Sequence, residues 1–132
     1  MTLMTKVALL ALLCFLPLHS QSRKIYVTIN HTGTDRVGDR FVYYLKEVIS
    51  KSSRYSLDTS AIDINNLQFI DISVVSTRID ETGNSSAIAV VSQKLQNKCT
   101  APFLTQVLVV GNSKSEESAK DAFASIDDAF AK

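Results

Sequence analysis

Few side chains in this 132-residue chain could carry out chemistry. Outside the first 22 positions there is one histidine, His31, and one cysteine, Cys99. A thiol beside an imidazole makes a nucleophile with its base, yet nothing in the spacing joins these two. Single copies cannot build a multi-histidine or cysteine-histidine metal cluster, so neither metal nor cofactor is expected. A lone cysteine also excludes an internal disulfide. The carboxylate pairs Asp80-Glu81, Glu116-Glu117 and Asp127-Asp128 fall in a predicted turn or on a predicted helix surface. Solvated charge is the ordinary state of such pairs. No residue is assigned a catalytic role.

One segment has a spacing associated with ligand binding. Gly33-Thr34-Asp35-Arg36-Val37-Gly38 follows a predicted strand, opens a predicted helix and has the glycine spacing of a phosphate loop. Such a loop needs Lys and then Ser or Thr directly after its second glycine. Here Asp39 and Arg40 stand there, and Asp35 adds a second carboxylate. Those carboxylates would repel a phosphate and can themselves occupy the helix N-terminus. The segment reads as a turn and a helix cap.

The first 22 residues read as an address. Lys6 leads into an apolar run from Val7 to Phe15, extended by Leu16-Pro17-Leu18 and closed by polar His19-Ser20-Gln21-Ser22. This run suits a signal peptide and is shorter than the ~20 apolar residues of a membrane-spanning helix. Ser20 and Ser22 supply the small residues of a cleavage site, which puts the cut between Ser22 and Arg23. Leu13 before Cys14 does not fit a lipidation site, so no stable membrane anchor is expected after cleavage. Export leads to the periplasm in a bacterium and to the extracellular space otherwise.

Loss of Lys6 leaves 13 Lys and Arg against 13 Asp and Glu, a net charge of zero. No basic excess remains for phosphates, which argues against nucleic acid as a partner. Residues 23–132 are enough for one domain.

The periodicities supply its elements. Lys24 to Ile29 is a β-prone run. Val37, Phe41, Leu45, Val48 and Ile49 recur at the helical period, predicting a helix from Asp35 or Arg36 to Ser52. Arg54 to Leu57 reads as a short strand, and Leu67 to Ile79 as a long one with Ile70, Ile72 and Val74 on one face. Asp80 to Asn84 is a turn, making a hairpin with Ser86 to Leu95. Gln96 to Pro102 reads as a loop. Phe103 to Val110 is apolar on both faces, the pattern of a central, doubly covered strand. Ser113 and Glu116 have capping-box spacing, ahead of a stripe of Ala119, Ala122, Phe123, Ile126 and Phe130. Phe41, Leu45, Phe123 and Ile126 are expected in the core. The expected fold is α+β, a two-layer α/β sandwich. Its mixed sheet of four to five strands, in the order β-α-(β)-β-β-β-α, is covered by two helices.

The run from Gly38 to Ile49 followed by Ser53-Arg54-Tyr55-Ser56-Leu57 resembles the amino-terminal domain of the periplasmic Tol-system propeller protein. It is also similar to domains of outer-membrane lipoproteins that activate peptidoglycan synthases or assemble curli secretion pores. The resemblance covers residues 24–80 and lacks the lipidated cysteine and the propeller. It implies a bacterial envelope domain that binds other proteins without catalysis.

The expected function is therefore that of an exported, non-catalytic domain binding a protein or a small ligand. The alternative is a small envelope hydrolase or redox factor using Cys99, His31 or a carboxylate pair. Polar, glycine-bearing connections are the usual carriers of function. This singles out Asn30, His31, Thr32, Gly33 and Arg36 in one loop and Gly83 and Asn84 in the other. The run Ala87 to Val91 on the hairpin strand suggests a free sheet edge that takes a protein partner or a second copy.

Overall fold

The computed structural model describes residues 24–58, 60, 68–96 and 99–130. The signal segment, its cut between Ser22 and Arg23, and Leu67 lie outside the described residues, as does the side chain of Cys99.

Strand β1 (Ile25–Thr32) leads into helix α1 (Arg36–Lys51) and then the short β2 (Tyr55–Ser56). Strands β3 (Gln68–Arg78), β4 (Ser85–Gln96) and β5 (Cys99–Gly111) follow. A 3-10 turn (Asn112–Lys114) opens into helix α2 (Ser115–Phe130). The fold is α+β, with one open five-stranded sheet in the order β2-β1-β3-β4-β5. β1 runs parallel to β2 and β3, while β3, β4 and β5 form an antiparallel meander. The sheet is mixed, as its crossover helix and its hairpins require.

Alternation along each strand decides which face the helices cover. Ile25 and Val27 on β1, Ile70, Ile72 and Val74 on β3, and Ile88 and Val90 on β4 are buried under the helices. From α1 the core receives Val37, Phe41, Leu45 and Ile49, and from α2 Ala119, Ala122, Ile126 and Phe130. The helical periodicities had pointed to these residues. Phe123 departs from expectation: it is half-buried and meets Tyr55 edge-on at 5.3 Å. It lies at the margin of the α2 stripe, where β2 is too short to cover it.

Three further expectations are corrected. β4 lies between β3 and β5 over its whole length, so the run from Ala87 to Val91 is interior and no free edge exists there. β5 is the edge strand instead of a central one, and Val107 and Val109 are each 74% exposed. The loop expected from Gln96 to Pro102 is strand at both ends, because β4 runs to Gln96 and β5 starts at Cys99. Cross-strand pairing of Leu95 with Thr100 and Gln96 with Cys99 continues the ladder into that segment.

The capping box is also absent. Ser113 lies in the 3-10 turn and is exposed, while Glu116 accepts from Lys120 at 2.7 Å. Buried Ser115 caps backwards, its hydroxyl donating to the Asn112 carbonyl at 3.1 Å. An i,i+4 ion pair one turn on has taken the carboxylate that the box would need.

Candidate functional site

The two loops singled out by composition lie at one end of the sheet, and Asp35 ties the first of them to Ser86, near the start of β4. Asp35 is the N-cap of α1, and its Oδ1 accepts the Gly38 backbone N–H at 2.7 Å. The same oxygen accepts the hydroxyl of Ser86 on β4 at 2.5 Å, and Oδ2 accepts the hydroxyl of Ser76 on β3 at 2.5 Å. Burial pushes this carboxyl up, but the three donors together outweigh burial and hold it below the ordinary aspartate value.

His31, near the end of β1, extends the network. Its Nε2 lies 2.9 Å from Ser76 Oγ and its Nδ1 lies 3.5 Å from Asp39 Oδ1. In outline, Asp39, His31 and Ser76 form an acid, a base and a hydroxyl in the order of a hydrolytic triad. The direction of the hydrogen bonds argues against that chemistry. Ser76 has one proton, and it goes to the ionised Asp35. His31 Nε2 must therefore donate to Ser76 Oγ and has no lone pair with which to deprotonate it. Ser76 is also only 5% exposed, so no substrate carbonyl reaches it. The arrangement ties three strands and a helix end together.

The glycine spacing finds its explanation here. A Cβ on Gly38 would lie 2.0 Å from Ser76 Oγ, and one on Gly33 would lie 2.3 Å from the same atom. Gly33 also has φ of 147°, a conformation that L side chains rarely adopt. Both glycines close over the Ser76 side chain and leave no cradle for a phosphate. Sequence reasoning passed over Ser76. Yet Ser76 continues the Ile70, Ile72, Val74 alternation, and a hydroxyl in a core-facing register needs a partner.

The other predicted residues are placed as follows. Asn30 lies on the helix-free face of the sheet, where its amide donates to Asp71 Oδ1 at 3.1 Å beside Thr28 at 2.6 Å. Thr32 and Arg36 are exposed at the ends of β1 and α1. Gly83 takes φ of 71° in the β3–β4 turn, and the Asn84 carbonyl accepts the Asn112 N–H at 2.7 Å. These residues shape loops and build no pocket of converging donors.

Cys99 does not join His31. His31 pairs with Val74 on β3, whereas Cys99 pairs with Gln96 and through it with Gln68. Six residues of β3 separate those rungs, roughly 20 Å at the strand rise. Members of the carboxylate pairs are held in a turn or in ion pairs. Asp80 caps its own turn, accepting from Thr82, Asn84 and Ser85. Glu116 and Glu117 pair with Lys120 and Lys114 in solvent. Asp127 accepts the Tyr55 hydroxyl and lies 3.7 Å from Arg54. Among the described residues, no group of three or more His, Cys, Asp or Glu side chains could hold a metal ion. Nor is any helix among them long and apolar enough to cross a membrane.

The surface with unsatisfied character is β5 and the sheet face beside it. Cross-strand rungs line up Val75, Ala89 and Val107, and next to them Thr77, Ala87 and Val109. Val75, Val91, Val107 and Val109 are all exposed on this face. On the helix side of β5, Leu104 and Leu108 are only partly buried. From Cys99 to Gly111 the strand carries no charged residue.

No protein-family model matches this chain, and no curated protein matches it either. Among solved structures, it is similar to the crystal structure of the rare lipoprotein B from Shewanella oneidensis. The similarity covers 79% of this chain and 95% of the other, with 8% identity and a TM-score of 0.44. A likeness at that level carries no argument about function.

Proposed function

We propose that the chain is an exported, non-catalytic domain that binds another polypeptide along the β5 edge of its sheet. The observation that carries this reading is the mismatch between the composition of β5 and its position. Leu104 and Leu108 on one side and Val107 and Val109 on the other make β5 apolar on both faces, yet it lies at the sheet's rim. Pro102 and the register shift opposite Gln93 and Leu95 guard the start of this edge, but from Phe103 to Gly111 it carries none of the charges or prolines that usually keep an edge strand single. An added strand would supply the missing ladder partner.

The hydrolase and redox alternatives lose support from the site's geometry. Ser76 has committed its proton to Asp35, and His31 and Cys99 occupy different ends of the sheet. Export rests on the apolar run of residues 7–18 and the serines after it.

A photoreactive residue at Val109, compared with one at exposed Lys46 on α1, tests the binding surface in an exporting cell. Adducts at 109 and none at 46 are expected, and silence at 109 would remove the reading. Mass spectrometry of the exported protein should find a new amino terminus at or near Arg23. An intact terminus in the membrane fraction would overturn export as a cleaved, unanchored protein.

A further inference from the structure

We infer that the helix-side seam between β4 and β5 is a binding site for one internal water molecule, held between the Ser92 hydroxyl and the Gln106 side-chain carbonyl. This site is independent of the β5 docking edge.

Two oxygens carry the inference. Ser92 Oγ and Gln106 Oε1 are buried and have no hydrogen-bond partner among the described residues. Both lie on the face that the helices cover. Ser92 continues the Ile88, Val90 alternation of β4 and is fully buried, while Gln106 stands between Leu104 and Leu108 on β5. Buried hydroxyls and amide carbonyls are nearly always bonded to protein or to ordered water. Ser76 and Ser86, on the same face, obey that rule through Asp35.

The neighbours of Ser92 cannot take its proton. Its rungs are Ile72 on β3 and Leu104 on β5, both apolar. Along β4 the flanking residues on that face are Val90 and Lys94. Lys94 donates to the Phe130 carbonyl at 2.9 Å, and an ammonium has no lone pair to offer a hydroxyl. Gln106 pairs with Val90, which sets it diagonally across from Ser92. Diagonal neighbours on an antiparallel pair lie about 7–8 Å apart, within reach of a long side chain. The two oxygens are not bonded to each other. One water accepts the Ser92 proton and donates to Gln106 Oε1, which completes both groups with a single molecule. Ser92 is 0% exposed, so a larger ligand does not reach it.

A crystal structure of the exported protein should show one ordered water within about 3.2 Å of both oxygens. Oxygen-17 relaxation dispersion, which counts waters held inside a protein, should fall by one water in Ser92→Val and by one in Gln106→Leu. Gln106 is half-buried on an edge strand, so its variant should fold even if Ser92→Val does not. A direct hydrogen bond between Ser92 and Gln106 in the crystal would overturn the inference. So would a dry contact between them, or a count of held waters unchanged in a folded Gln106→Leu.

Discussion

The hydroxyl of Ser76 donates to the carboxylate of Asp35 at 2.5 Å, across 41 residues of sequence. This bond determines what the polar cluster at the top of the sheet does. With its proton held by Asp35, Ser76 is an acceptor for His31 and not a nucleophile. The same bond anchors the start of α1 to β3, while Ser86 anchors it to β4.

Asp35 should make stability depend on acid. Its carboxyl is held below the usual value, so its contribution is complete above the unfolded value of about 3.9. That contribution disappears as pH falls through the folded value. Asp35→Asn should cost about 1–2 kcal/mol near neutrality. Urea unfolding at a series of pH values should show the gap to wild type closing in acid. A constant gap would mean that the charge on Asp35 is not what stabilises the cap.

Gly38→Ala should destabilise the protein even though alanine is the better helix former by about 1 kcal/mol. The added methyl would sit 2.0 Å from Ser76 Oγ. Overpacking of this kind costs about 1–3 kcal/mol. An unchanged or raised melting temperature would show that the glycine does not pack on Ser76.

Tyr55 should ionise later than a free tyrosine. Burial raises its value first, and the hydrogen bond and charge of Asp127 raise it further. Stability from this group is complete below about 10 and is lost as pH rises through the folded value. Tyr55→Phe should cost about 1 kcal/mol at neutral pH and should remove the latest phase of an ultraviolet pH titration. If that phase survives in the variant, it belongs to another tyrosine.

Phe41→Ala should cost about 3–5 kcal/mol, because Phe41 is fully buried. Phe123→Ala should cost roughly half as much, since its ring packs only edge-on against Tyr55 at the core's margin. Equal losses in denaturant melts would mean that Phe123 is as enclosed as Phe41.

Local pattern made most of the elements legible. The β3 residues Ile70, Ile72 and Val74 alternate, and Val37, Phe41, Leu45 and Ile49 recur at the helical period. Each set is a property of neighbouring residues, and each names the face that seeks cover. The turn at Gly83 and the cap at Asp35 are local in the same sense. Strand order is not local. Ladder hydrogen bonds join backbone groups that every non-proline residue possesses, so alternation says which face is buried and nothing of which strand lies alongside. That is why β4 read as an edge and β5 as a centre, and why Pro102, which the structure places inside the edge strand β5, read as the end of a loop. The polar cluster belongs to tertiary structure for the same reason. Asp35, Ser76 and Ser86 stand 41 and 51 residues apart, and only the folded sheet brings their oxygens within hydrogen-bonding distance.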